Sequence, residues 1–219
     1  MNSAAGRRQS ILEGIASAAR LAKRDPADVT LIAVSKTRTA EEAEALIAAG
    51  QRDFGESRVP EALDKWPSLL ARHPGVTLHC IGQLQSNKAA EAVKLFDVIH
   101  SLDRPSLLQA LTREADKAGR SPSVYVQVNI GDEPQKGGVP IGEVEGFVAA
   151  VRSSPLPLAG LMCIPPLGLE PSPFFALLGK IAGDHGVAGL SMGMSSDYRA
   201  AVMLGATAIR VGTAMFEDA

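Results

Sequence analysis

From Val29 onward the apolar residues alternate between two textures. Short runs rich in Val, Ile and Leu are separated by longer stretches in which apolar residues recur every third or fourth position. The first texture predicts buried strands and the second amphipathic helices. In order, the strands are 29–34, 51–54, 76–81, 97–101, 123–130, 158–164, 189–192 and 206–211. Helices over 40–49, 61–72, 86–95, 106–118, 141–152, 174–182 and 196–204 fall between them. The punctuation agrees: Gly50 and Gly119 close two helices, Pro74-Gly75 closes another and Pro140 leads into a fourth. No hairpin signal such as Asn-Gly joins two paired runs.

Alternation of strand and helix means parallel strands with crossover helices. About eight such units predict a closed (β/α)8 barrel of the TIM type. An open doubly wound sheet is the alternative, but no GxGxxG follows the first strand. Residues 212–219 leave little room for a last helix after the last strand. Ile11, Ile15, Ala18 and Ala22 recur at helical spacing, with Glu13 among them. They predict an additional N-terminal helix docked where that last helix would lie, rather than a removed Ala/Ser/Arg-rich leader. Six prolines crowd 155–173, and Pro165-Pro166 directly follow a strand. That segment reads as a stiff loop at the carboxyl face, followed by the weakest helix, which contains Gly179 and Gly183. Without an internal linker, 1–219 reads as a single barrel domain.

Composition narrows the function classes. The 219 residues carry 22 Lys plus Arg against 24 Asp plus Glu, a net charge of −2. Such a balance gives no electrostatic case for nucleic acid or an anionic membrane. No apolar run has the length of a transmembrane helix. Cys80 and Cys163 lie in apolar runs without metal-ligand spacing, as reduced core residues of a cytoplasmic protein do.

In a barrel, chemistry belongs to the carboxyl ends of the strands. Lys36 ends the first, Phe54-Gly-Glu-Ser57 the second, 81–88 the third, 101–103 the fourth and 129–138, with Lys136, the fifth. Met162 ends the sixth, 191–195 the seventh and 210–213 the eighth. A lysine at the end of a buried strand loses hydration, which favours the free amine that attacks aldehydes. Its plainer reading is a side chain snorkelling to water. Gly193 and Ser195 before a helix, with Gly212-Thr213 after a strand, make an anion site of backbone N–H groups and hydroxyls. Ser195 would equally serve as the N-cap of that helix, with Asp197 in its first turn. Arg210 interrupts the apolar run Ala-Thr-Ala-Ile-Arg-Val-Gly, so it must find partners, reach the barrel mouth or point outward to the surface. His79 reads as a core or mouth histidine.

The chain resembles the pyridoxal 5′-phosphate homeostasis proteins, the YggS/PROSC family. The resemblance rests on Ala-Val-Ser-Lys at 33–36, Phe-Gly-Glu at 54–56 and Ile-Gly-Gln-Leu-Gln-Ser-Asn-Lys at 81–88. Further pieces are Gln-Val-Asn-Ile at 127–130, Gly-Leu-Met at 160–162, Leu-Ser-Met-Gly-Met-Ser at 190–195 and Arg-Val-Gly-Thr at 210–213. It implies a barrel like the N-terminal domain of alanine racemase, with pyridoxal 5′-phosphate (PLP) as an internal aldimine on Lys36. It further implies Ser195, Gly212 and Thr213 at the phosphate, Arg210 at the pyridine nitrogen, and Ser57 and Met162 beside the cofactor. Ser57 stands where the family usually has Asn, Gln83 stands where Pro is common, and 167–189 is short. An arginine donates to the ring nitrogen without protonating it, which makes the ring a poor electron sink. The chain has only Tyr125 and Tyr198 as tyrosines and no room for the second domain of a racemase. The implied role is therefore a non-catalytic carrier in intracellular PLP homeostasis, monomeric, with PLP-requiring apoenzymes as candidate recipients. The alternatives are a PLP-dependent racemase-like enzyme and a barrel enzyme acting on a phosphorylated metabolite without PLP.

Overall fold

A computed structural model describes residues 3–217; the ends of the 1–219 domain span, residues 1–2 and 218–219, lie outside them. Strands β1 (Thr30–Val34), β2 (Asp53–Glu56), β3 (Thr77–Cys80), β4 (Val98–Leu102), β5 (Ser123–Gln127), β6 (Leu158–Met162), β7 (Gly189–Ser191) and β8 (Ala208–Val211) pair in chain order, all parallel. The ring closes where β1 meets β8, Thr30 opposite Ala208 through Ala33 opposite Val211. Helices α1 (Ala4–Leu21), α2 (Ala40–Ala48), α3 (Val59–Arg72), α4 (Ala89–Leu95), α5 (Pro105–Ala118), α6 (Val144–Arg152), α7 (Ser172–Asp184), α8 (Tyr198–Met203) and α9 (Thr213–Phe216) surround it. The fold is the (β/α)8 barrel that the alternation predicts.

Boundaries differ where side chains or loops intervene. β2 begins at Asp53 rather than 51, because the Gln51 amide donates to Leu31 O at 2.6 Å and Asp53 O at 2.8 Å, stapling the strand entrance. β5 stops at Gln127, and the chain re-joins itself only at the bridge Val128–Val139. α7 is longer than the weak helix expected, and buries Phe175, Leu178, Ile181 and Ala182. Burial of that face outweighs the intrinsic cost of Gly179 and Gly183.

The N-terminal helix docks as its periodicity predicts. Ile11, Ile15, Ala18 and Ala19 are buried, and Ser3 caps the helix by accepting from Gly6 N. A Cβ at Gly14 would lie 2.1 Å from the Tyr198 hydroxyl, so α1 can approach α8 this closely only with glycine there. Beyond α1, Arg24 donates to Val202 O at 2.6 Å and Ala206 O at 2.9 Å, and Arg7 donates to Met215 O at 2.9 Å. α1 thus lies over the β8–β1 seam.

Two shells of side chains result. Outward-facing residues such as Leu31, Ala33, Ile209 and Val211 join the helices in one apolar core. Ile32, Val34 and Met162 are buried outside that core, with His79, His100, Ser191 and Arg210 among the buried polar residues. Alternation along each strand assigns these to the lumen. There the Tyr125 and His100 rings stack with centroids 4.4 Å apart. Gly160 makes space for the tyrosine: a Cβ would stand 2.6 Å from the Tyr125 ring.

Candidate functional site at the barrel mouth

At the carboxyl end of the barrel a cavity of about 580 Å³ is lined by Lys36, Ser57, Ser195, Arg210, Gly212 and Thr213. Six of the seven residues singled out from the sequence are therefore brought together. Met162, the seventh, is fully buried at the end of β6, and Ile164 takes the lining position two residues later. Lys136 lies elsewhere, paired with Glu133 at 2.6 Å.

The lysine loop is built from behind. β1 ends at Val34 and Ser35 takes the last buried position, so Lys36 is exposed rather than desolvated at the strand end. Thr37 then turns the chain with φ 63°, and Arg38 N donates back to Ser35 O at 3.0 Å. Lys65, from α3, bonds both Ser35 O at 2.7 Å and Arg38 O at 3.0 Å. The same ammonium pairs with the wholly buried Glu56 at 2.7 Å. That carboxylate oxygen also accepts from Ser35 Oγ at 2.7 Å and Trp66 Nε1 at 2.8 Å. The Phe-Gly-Glu motif thus acts on the lysine loop from the far side of β1, outside the cavity lining.

The opposite wall comes from the turn after β7. Gly193 adopts φ 95°, and a Cβ there would stand 2.5 Å from the Ala201 Cβ, so only glycine fits. Its carbonyl accepts from Arg210 N at 3.0 Å. Ser195 is not the helix cap: α8 begins at Tyr198, and the Asp197 carboxylate accepts from Met194 N at 2.5 Å. Ser195 Oγ instead accepts from Gly212 N at 3.3 Å, tying the β7 turn to the end of β8.

Arg210 does not point outward. It is buried in the lumen, donating to Ser191 Oγ at 2.6 Å and Cys163 O at 3.0 Å. Burial pushes its guanidinium pKa down, yet an arginine side chain stays protonated in a protein. Among the described residues, the charged ones lining the cavity are Lys36, Arg38 and Arg210, all cations. Arg38 is answered by Glu42 at 3.6 Å and by Glu217. Among the described residues no acid pairs with Lys36 or Arg210. The mouth therefore offers one exposed primary amine, one buried guanidinium, and the hydroxyls of Ser57, Ser195, Ser196 and Thr213 to a small anionic guest.

Comparison with known proteins gives the same answer from sequence. The model of the alanine racemase N-terminal domain family matches residues 11–219. The pyridoxal phosphate homeostasis protein of Escherichia coli K12 is 36% identical over 235 residues, covering 99% of this chain and 97% of that protein. The protein of that name from Pseudomonas aeruginosa is 43% identical over 209 residues, covering 92% and 90%. The chain belongs to the pyridoxal phosphate homeostasis protein family. Among solved structures, PipY of Synechococcus elongatus with PLP bound is 41% identical, with a TM-score of 0.82 covering 92% of this chain and 99% of that one.

Within this family member, several contributors to the cavity were not singled out as site residues from the sequence. Val34, Ile81, Ile164 and Met194 wall the cavity with apolar surface, and Ser196 adds a hydroxyl. Val34, Ile81 and Met194 lie inside the quoted motifs and Ser196 directly follows one, so these four could have been drawn from them. Lys65 could not: it sits mid-helix and resembles any solvated lysine.

Proposed function

We propose that this chain binds PLP at the barrel mouth, with Lys36 as the covalent anchor, and serves intracellular PLP homeostasis as a carrier rather than a catalyst. The observation that carries the reading is the donor set of the cavity. An exposed primary amine and a buried guanidinium share it with hydroxyls, and no acid among the described residues stands in its lining. Such a set matches an aldehyde that also bears a phosphate dianion and a ring nitrogen acceptor. When bound, PLP supplies the aldehyde and the electron-accepting ring. The chain's residues do the holding. Ser195, Gly212 and Thr213 offer donors to the phosphate, Arg210 donates to the ring nitrogen and remains charged, and Ser57 flanks the ring. Met162 supports the site from the lumen beneath, through β6.

The carrier reading is supported by the tyrosines. Tyr125 is stacked on His100 in the lumen, and Tyr198 is buried against Gly14. Neither lines the cavity, so neither stands ready as an acid–base partner across the ring. PLP-requiring apoenzymes are the recipients this role implies, and a monomer suffices for it. Cys80 and Cys163 are buried, free thiols, as suits a reducing cytoplasm. No helix among the described residues is long and apolar enough to cross a membrane.

The test is the visible spectrum of the protein loaded with PLP, followed by borohydride reduction and peptide mapping. A pyridoxyl group on Lys36, lost in Lys36→Ala, is the expected result. A band unchanged in that variant would overturn the assignment, and sustained amino-acid turnover dependent on Lys36 would favour the racemase-like alternative.

A further inference from the structure

A row of polar side chains runs down the lumen from Arg210 at the cavity floor. Arg210 Nη1 donates to Ser191 Oγ at 2.6 Å, and Ser191 Oγ meets His100 Nδ1 at 2.8 Å. His100 Nε2 meets His79 Nδ1 at 2.9 Å, and His79 Nε2 meets Asp53 Oδ1 at 3.1 Å. Arg210 belongs to β8, Ser191 to β7, His100 to β4, His79 to β3 and Asp53 to β2. Asp53 is the first residue of its strand, so the row descends from the mouth to the opposite end of the barrel. Ser191 and His100 are fully buried and His79 nearly so.

Hydrogen-bond arithmetic gives this row a single direction. A carboxylate only accepts, so His79 Nε2 must carry a proton toward Asp53. A neutral imidazole has one N–H, so His79 Nδ1 is then an acceptor and His100 Nε2 must donate to it. Burial first, and the charge of Arg210 in the same direction, hold His100 well below the usual histidine range, so it is neutral. His100 Nδ1 is left as an acceptor, and the Ser191 hydroxyl donates to it while accepting from Arg210. The reverse order would need a charged His79 and would leave the Ser191 hydrogen with no acceptor among the described residues.

We propose that Ser191, His100, His79 and Asp53 are positioning residues, a one-way donor chain that latches Arg210 at the mouth and links its charge to a carboxylate at the far end of the barrel. The chain explains how a buried guanidinium persists without an acid paired to it among the described residues. Each neutral link aligns its dipole along the same direction, and aligned links strengthen one another in a low-dielectric interior. Two of the five N–H groups of Arg210 are used, on Ser191 and on Cys163 O. The remaining donors are kept for the guest of the cavity. This last step rests on the PLP reading above; the direction of the chain does not.

The deciding experiment is long-range ¹H–¹⁵N correlation of the imidazole rings in protein free of cofactor. There are four histidines to assign, His73, His79, His100 and His185. His79 and His100 should both carry their proton on Nε2, by at least about tenfold over the other tautomer, the weight of a hydrogen bond to a charged group. Asp53→Ala should erode that preference at both rings, although His100 does not touch Asp53. An Nδ1–H proton on His100 in the native chain, or tautomers indifferent to Asp53→Ala, would overturn the chain. In PLP-loaded protein, Ser191→Ala should weaken cofactor affinity by about tenfold, and Ser191→Thr, which keeps the oxygen, should restore it. Equal affinities for the native and Ser191→Ala proteins would overturn the latch. Failure to trap pyridoxyl on Lys36 of the native chain would overturn the PLP reading alone and leave the tautomers as an independent measurement.

Discussion

Lys65 and Arg210 are two cations withdrawn from water on opposite sides of β1, and their surroundings treat them in opposite ways. Lys65 has an acid, Glu56, at 2.7 Å and two backbone carbonyls, so its charge is answered within the fold. Arg210 has a hydroxyl and a carbonyl but, among the described residues, no acid in an ion pair with it, and it lines the cavity. A buried charge with a complete set of partners is a structural element; one with an incomplete set waits for a ligand. The same strand thus separates a device that shapes the lysine loop from a device that meets the guest.

The largest expected effect tests that division directly. Glu56→Ala removes the acid from the half-buried Lys65 ammonium and strands the buried Ser35 hydroxyl and Trp66 indole N–H, and should cost about 3–5 kcal/mol in urea denaturation. Arg210→Met removes a charge that lacks an adjacent counter-ion, and should shift the stability of cofactor-free protein by less than about 1 kcal/mol. Its cost should appear instead in PLP affinity, as a loss of about tenfold. Comparable stability losses in the two variants would erase the distinction between the two cations.

A smaller effect comes from the thiols, each of which sits beside one of these buried charges. Burial pushes both thiols up to about 12; Glu56 adds to the rise at Cys80, and Arg210 opposes it at Cys163 without overcoming it. The unfolded thiols titrate near about 8.5. Above that pH the unfolded chain releases protons that the native one keeps. The stabilisation is thus complete below about pH 8.5 and is lost as pH rises toward the folded pKa. Each thiol should contribute about 1.4 kcal/mol of lost stability per pH unit through this window. Cys80→Ala and Cys163→Ala should each flatten the slope by one such share between about pH 9 and 10. Slopes unchanged in both variants would mean that burial is not what controls these thiols.

The division between the two cations also marks how far the sequence could be read. Topology was legible because strand and helix alternate in texture, and the mouth residues were legible because function collects at strand ends. Which face of a strand looks into the lumen was not legible. Both faces of a barrel strand are buried, so Ile32 and Leu31 are equally apolar, and no alternation tells inward from outward. His79, His100 and Ser191 therefore look like isolated polar residues on three separate strands, and only closure of the ring makes them neighbours. The Lys65–Glu56 pair is hidden for a similar reason, since α3 brings the lysine back beneath a loop about thirty residues earlier in the chain. Exposure of Lys36 follows because β1 ends at Val34, as the texture predicts, and Ser35 takes the last buried position before the lysine.

The smallest effect concerns the loop that Lys65 anchors. Thr37 follows Lys36 directly and sits at φ 63°, in the left-handed region that a β-branched residue adopts at a cost of about 1–3 kcal/mol. The conformation persists because Ser35 O and Arg38 O are both fastened to the Lys65 ammonium, on either side of the turn. Glycine adopts the same φ without strain, but it also gives the unfolded chain more freedom, which offsets part of the gain. Thr37→Gly should therefore stabilise the protein by about 1 kcal/mol, read as a shift in denaturation midpoint at constant m-value. Combined with Lys65→Met, the same substitution should gain less, because the loop is then free to leave the left-handed turn before the strain is felt. Strict additivity of the two changes would show that Lys65 does not hold the turn, and the contrast between a loop-shaping cation and a ligand-facing one would lose its first half.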